Sequence, residues 1–185
     1  MIIVVHRSSS ARGDGTVVER HLTDAVPLVT DEIGDNLASP EGTTVSQGVL
    51  TFSDKLIAGL DAADVMVIGR PLDDFDPPAT LKPRADLIAR GGRTFEYGEH
   101  GPAGTLCDHP AHIVAASGGA PIVSPVAFGT TWMTAFLGWL GIRDVTTAAA
   151  SSIMSDPEGI MAHAHAQGQE LVAGGSAKRP SLQET

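Results

Sequence analysis

Cysteine occurs once, at Cys107, so no disulfide can close within the chain. The residue reads as a small buried apolar side chain rather than a nucleophile. Aromatic residues make up 4% of the sequence, too few to build the stacking surface that single-stranded nucleic acid needs. Positive charge is scarce as well. Twelve Lys and Arg stand against 22 Asp and Glu, a net charge of −10, which argues against nucleic acid and anionic membrane surfaces as partners. No apolar run is long enough to span a bilayer and no leader pattern is read, so a cytoplasmic protein that meets no membrane is the expectation. Metal-ligand spacing is missing too. His163 and His165 are two apart on a predicted helix and point to different faces, and Asp73, Asp74 and Asp76 lack the glycine of a calcium loop. No metal is expected. Internal repeats are absent.

What the chain does have is apolar content for a core. Its 185 residues are 42% hydrophobic, which suits one domain over 1–173 followed by a polar tail at 174–185. The organising stretch is Ala63 to Phe95. Val65 to Gly69 runs without a polar break, the pattern of a strand covered on both faces in a parallel sheet. Pro71 and the polar, proline-rich run Arg70 to Pro78 end it. Leu81, Ala85, Leu87 and Ile88 then fall on one helical face, giving strand, loop, helix. In an open α/β sheet, ligands sit in the loops that leave the carboxyl ends of the strands, which makes this loop a candidate site.

Around this unit, Ile2 to Val5 reads as a buried first strand, and Val17 to Val26 as a short helix. Between them, Arg7 to Thr16 offers hydroxyls and glycines before a helix start, where free backbone N–H groups can hold an anion. An ordinary N-cap and turn accounts for the same residues. Leu28 to Thr30 reads as a brief edge strand, and nothing functional can be read over 27–46. Val49 to Ala62 is predicted helical, with Leu50, Phe52, Leu56, Ile57 and Leu60 as its buried stripe. Ala111 to Ala116 is the next strand, and Gly118 and Gly119 beyond it permit close approach of a flat ring to the backbone. Thr130 to Leu140 is a helix ended by Gly141, and Asp144 to Ala150 a strand. Pro157 to Val172 is the last helix. Trp132 and Trp139 are read as core or subunit-contact residues. His109 and His112 take no assignment.

Two runs, SDKLIAGLDAADVMVIGRPLDDF (Ser53 to Phe75) and LKPRADLIARGGRTFEYGEHGPAGTL (Leu81 to Leu106), resemble the FMN-dependent NADH azoreductases, flavodoxin-like quinone and azo-dye reductases. The likeness extends to the first strand and to Ala135 to Val145. It implies a flavodoxin-like three-layer sandwich around a five-stranded parallel sheet of order 2-1-3-4-5. It also implies a homodimer and an FMN-dependent NAD(P)H oxidoreductase that reduces quinone or azo compounds by ping-pong hydride transfer. By the same resemblance, Ser10 and Thr16 to Val18, with Val17 between, hold the FMN phosphate. Leu72, Asp73, Asp74 and Phe75 flank the isoalloxazine, and Ala116, Ser117, Gly118 and Gly119 line its other side. Tyr97 and His100 belong to an excursion that forms one wall of the substrate pocket, often across the dimer.

The chain departs from the family pattern at several of these positions. Val18 stands where a third phosphate-binding hydroxyl is usual, a loss of about 0.5–1.5 kcal/mol of net binding. Asp73, Asp74 and Asp76 replace an aromatic and two amides, and an ionised carboxylate cannot donate to the flavin pyrimidine oxygens. A second reading follows. In it the pocket is flavin-free, and Asp73 and Asp74, each raising the other's pKa, serve as general acid and base. The chemistry would be of hydratase, lyase or cyclase type on an aromatic or quinone-like small molecule. A solvated acidic turn ahead of a helix N-terminus accounts for the same carboxylates.

Overall fold

A computed structural model describes residues 2–7, 16–21, 26–28, 44–72, 75–122, 124 and 127–172. The described elements follow the order β1 (Ile2–Arg7), β2 (Thr16–His21), α1 (Thr44–Asp61), β3 (Val65–Pro71), α2 (Leu81–Ile88), β4 (Phe95–Gly98), β5 (Gly101–Gly104), β6 (Ala111–Ala116), α3 (Phe128–Leu140), β7 (Val145–Ala150) and α4 (Pro157–Val172). Five strands form one sheet in the order β2-β1-β3-β6-β7, while β4 and β5 pair separately as a hairpin.

The α/β architecture and its parallel centre follow from the apolar runs. β3, β6 and β7 are parallel, with Ile68 opposite Ile113 and Ile113 opposite Thr147. Each parallel step needs a crossover, and α2 and α3 lie within the two crossovers. Met66, Ile68, Ala111, Ile113 and Ala115 share one face of this sheet and are at most 2% exposed. They join Leu60, Leu81, Met133, Leu137 and Leu140 in a single core.

The outer half of the sheet differs from the expectation of five parallel strands. β1 runs antiparallel to both neighbours, pairing Ile2 with Gly69 on one side and with His21 on the other. Thr16 to His21 is strand, not the start of a helix over 17–26. The reason is physical. Only residues 8–15 separate β1 from β2, too few for a parallel crossover, and Thr16, Val17 and Val18 are β-branched and suit an antiparallel return. β2 takes the place beside β1 that was expected for Leu28 to Thr30. Val26 to Leu28 belong to no strand, and 29–30 lie outside the described residues, as does the tail.

Other elements sit close to their expected bounds. α1 begins at Thr44 rather than Val49, and its Leu56, Ile57 and Leu60 are buried as the stripe required. Ser53, fully buried on the same helix, donates to the Leu87 carbonyl at 2.5 Å and ties α1 to the end of α2. The Asp54 carboxylate holds Arg90 at 2.6 Å, so the residues after α2 are clamped to α1. α3 ends at Gly141, whose φ of 111° is open to glycine alone at little cost; Ile142 N–H then caps Leu137 O at 2.9 Å. Trp132 stacks on Phe136 with centroids 5.3 Å apart, and both pack on the core. Cys107, expected to be buried, is exposed.

The hairpin β4–β5 docks on the carboxyl end of α3. A Cβ at Gly104 would overlap backbone atoms of Leu140 and Gly141, and Phe95 meets Trp139 at 4.7 Å. Backbone cannot yield as a flexible side chain can. Gly104→Ala should therefore lower stability by about 1–3 kcal/mol or more, read as a reduced urea midpoint with an unchanged slope.

Asp108 organises the turn between α3 and β7. Its carboxylate accepts the backbone N–H groups of Arg143 at 2.7 Å and Asp144 at 3.0 Å. These bonds, the one from Arg143 first, hold its pKa below the ordinary aspartate value. A depressed carboxylate stabilises the fold above its unfolded-state pKa, and that contribution fades as pH falls through the folded value. In acid unfolding, Asp108→Asn should show a lower midpoint at neutral pH and a shallower decline below about pH 4 than the parent protein.

Candidate functional site

The carboxyl edge of the parallel strands is where three backbone segments converge. β3 leaves the sheet through Pro71 and Leu72, and Leu72 N–H donates to Ala116 O at 2.8 Å, holding the exit of β3 beside the end of β6. Ser117 is 5% exposed; its N–H bonds to Ala150 O at 2.9 Å, and its hydroxyl accepts Ala120 N–H at 3.0 Å. The turn after β6 is thereby fixed. Ala116, Gly118 and Gly119 are exposed; among the described residues nothing lies within 4 Å of where a Cβ at Gly119 would stand, and one at Gly118 would meet only the sulfur and Cγ of Met154, at 3.4 and 3.7 Å. These are small residues on a rigid backbone, a platform open to a flat ligand.

Beside the platform stands a residue that sequence patterning did not single out. Arg70, on the penultimate position of β3, is 3% exposed. Its Nη2 donates to Thr130 Oγ1 at 2.8 Å, and its Nη1 faces the carbonyls of Pro71 and Asp76 at 3.4 and 3.5 Å. Gly129 N–H donates to Phe75 O at 3.0 Å. The first turn of α3 and the loop after β3 are thus stapled together, and Phe75 takes a φ of +67° within that loop, a conformation that costs a non-glycine residue energy. Its ring remains 45% exposed. No local signal in the sequence marks Arg70, because its partners Thr130 and Gly129 lie some sixty residues away on α3, where a side chain at 129 would collide with the guanidinium.

The remaining site residues are placed as follows. Leu72 is joined to Ala116 at this edge, with Ser117 to Gly119 following, and Phe75 is held to Gly129 at the start of α3. Thr16, Val17 and Val18 are not at this edge: Thr16 pairs with Arg7, and β1 runs so that His6 pairs with Val65, which puts Thr16 by the amino end of β3, across the sheet from the platform. The antiparallel course of β1 is what sets them apart from that edge. Ser10, Asp73 and Asp74 lie outside the described residues. Tyr97 is 80% exposed on the β4–β5 hairpin and touches Phe95 edge-on at 5.4 Å; His100 is exposed at its turn. The hairpin is anchored at Leu140 and the platform loop at Thr130, ten residues or about 15 Å apart along α3. His112 bonds Thr146 at 2.6 Å within the sheet, and among the described residues no cluster of His, Cys, Asp or Glu is arranged for a metal. No described helix is long and apolar enough to cross a membrane.

A family profile described as flavodoxin-like fold matches residues 4–172. The FMN-dependent NADH:quinone oxidoreductase 1 of Hahella chejuensis is 41% identical over 160 residues, covering 85% of this chain and 78% of its own. The protein of the same name from Jannaschia sp. is 43% identical over 161 residues, covering 86% and 84%. The chain belongs to this flavodoxin-like family. Among solved structures, the FMN-dependent NADH-azoreductase of Bacillus anthracis in complex with FMN superposes with a TM-score of 0.73 over 84% of this chain and 78% of that one, at 23% identity, a likeness of fold.

FMN can be tested against this edge. The carboxyl edge can take a flat ring: among the described residues only Met154 comes near Gly118 and nothing near Gly119, and Leu72 is bonded to Ala116 beside them. Thr16 to Val18, expected at the phosphate, lie on β2 toward the opposite edge.

The staple itself is testable. A Cβ at Gly129 would stand 2.5 Å from Arg70 Nη1 and 2.9 Å from the backbone of Asp76 and Pro77. Gly129→Ala should cost about 1–3 kcal/mol in urea unfolding and increase proteolytic cleavage near Phe75.

Proposed function

We propose that this chain is an FMN-dependent oxidoreductase that takes electrons from NADH and delivers them to a quinone or azo compound. The observation that carries the reading is identity of 41% and 43% over 85–86% of the chain with proteins named for FMN-dependent NADH:quinone oxidoreduction. The open platform at the carboxyl edge supports it, because that is where a doubly wound sheet receives a ring. When bound, FMN supplies hydride chemistry, accepting from the nicotinamide and giving to the acceptor, and the protein supplies binding and orientation.

In this reading, Leu72, Asp73, Asp74 and Phe75 flank one side of the ring, Ala116 to Gly119 line the other, and Ser10 contacts the phosphate. Arg70 touches neither ring nor substrate, and the Ser117 hydroxyl is turned to its own loop. They hold the two segments at a constant separation, which keeps the slot open without reorganisation when a ligand enters. NADH and acceptor then use the same open face in turn, the arrangement ping-pong exchange requires. Tyr97 and His100 reach a pocket only across a homodimer, where the hairpin of one protomer closes the platform of its partner. The cytoplasm, with its NADH supply, is the compartment that fits. Against these similarities, a flavin-free acid/base enzyme built on Asp73 and Asp74 is the less favoured reading.

The test is optical. Purified protein titrated with FMN should take up one flavin per chain, show the visible flavin bands, and oxidise NADH only when a quinone is present. Protein that stays colourless and does not bind added FMN would end the redox reading. Gly118→Val should weaken FMN binding by roughly tenfold or more, about 1.4 kcal/mol, with its circular dichroism unchanged.

A further inference from the structure

The loop after β7 also reaches the carboxyl edge of the sheet. β7 runs parallel to β6, so residues 151–156 leave it on the same side as the platform loop after Ala116. The two loops continue the pairing of their strands. Ser117 N–H donates to Ala150 O, Ile153 N–H to Ser117 O and Met154 N–H to Gly118 O, each at 2.9 Å. Ser151 Oγ accepts Ile122 N–H at 3.1 Å, and the Ser152 hydroxyl donates to Gly119 O at 3.3 Å.

The turn that carries Met154 is itself tightly determined. Ser152 takes a φ of +57°, the left-handed region that an L side chain rarely adopts, and its carbonyl accepts both the N–H and the hydroxyl of Ser155, at 2.9 and 2.8 Å. Asp156 then caps α4 by accepting Gly159 N–H at 3.1 Å. Met154 thus sits on a backbone held from both ends, with its side chain 82% exposed. Its sulfur and Cγ lie 3.4 and 3.7 Å from where a Cβ at Gly118 would stand. A single exposed apolar side chain is ordinary on a protein surface. One whose thioether is set beside the glycine platform is in place to meet a ligand received there.

A thioether is polarisable, packs well against aromatic rings and adapts through its rotatable bonds, whereas Gly118 and Gly119 offer backbone alone. We infer that Met154 is a binding residue of the ring slot: its sulfur and terminal methyl meet the flat ring received at Gly118 and Gly119 and form the wall of the slot toward β7. The inference rests on the FMN-dependent reading above and adds to it a contact from the loop after β7. The contact is to the ring and not to the phosphate, because the Met154 side chain carries no donor and its backbone N–H is spent on Gly118 O.

The test is equilibrium titration of the full chain with FMN and with riboflavin, the same ring without the phosphate, followed by flavin fluorescence. Met154→Ala should weaken both ligands by the same factor, about three- to tenfold, while Met154→Leu, which keeps the apolar volume, should stay within about twofold of the parent. Met161→Ala, a partly exposed methionine on α4, should change neither. Because the Met154 side chain is exposed, the urea midpoint of Met154→Ala should equal that of the parent. The inference falls if Met154→Ala binds both flavins like the parent, if it loses FMN but keeps riboflavin, or if its urea midpoint drops together with its affinity, which would make Met154 a support of the loop alone. A parent chain that binds neither flavin ends the FMN-dependent reading and this inference together. One that binds FMN while Met154→Ala is unchanged ends this inference and leaves that reading intact.

Discussion

The parallel pairing of β3 with β6 is the constraint on which the site depends. Parallel neighbours must end at the same edge, and the crossover that joins them must lie on a face, so the segments after Pro71 and Ala116 are delivered side by side. The hydrogen bond from Leu72 N–H to Ala116 O extends this pairing one residue past the strand. Everything proposed for the ring slot rests on that adjacency. The burial of Met66, Ile68, Ile113 and Ala115 on one face keeps the register, because a slip of one residue would turn that set to the other side.

Arg70 carries the order of the sheet outward into the loop. Burying a guanidinium is costly unless its donors are satisfied, and here the acceptors belong to the segment after β3 and to the first turn of α3. The cost of burial thus becomes positional specificity. A lysine has three donors on one nitrogen, whereas the guanidinium fork addresses Thr130 from Nη2 and the two carbonyls from Nη1. Phe75, held at positive φ within this loop, shows that local strain is tolerated where the surrounding bonds determine the backbone.

The central fold was legible wherever one element carried a single unambiguous period. Val65 to Gly69 could be read as a covered parallel strand, Ala111 to Ala116 as its neighbour, and Pro157 as the start of α4. The outer strands were not. Thr16 to His21 contains alternating and helical apolar spacings alike, and the choice between them is made by pairing with β1, a non-local interaction that no window of sequence contains. The site divides in the same way. Gly118 and Gly119 announced an open backbone through composition alone, whereas the placement of Thr16 to Val18 depended on the direction of β1. Arg70 read as the first polar residue of a loop because its burial is created by α3, sixty residues further on.

α3 links the two halves of the proposed active site. Its first turn is locked to the platform loop through Thr130 and Gly129, and its last turn to the β4–β5 hairpin through the close approach of Gly104 to Leu140. A helix is stiff over this length, so the hairpin base and the platform are held apart by a nearly constant distance. Tyr97 cannot then close its own platform by a small hinge at the hairpin base without breaking the Gly104 contact. In the proposed homodimer the conflict would not arise, because the hairpin can stay seated on its own α3 and present Tyr97 outward. The 80% exposure of that ring is what such a division of labour requires.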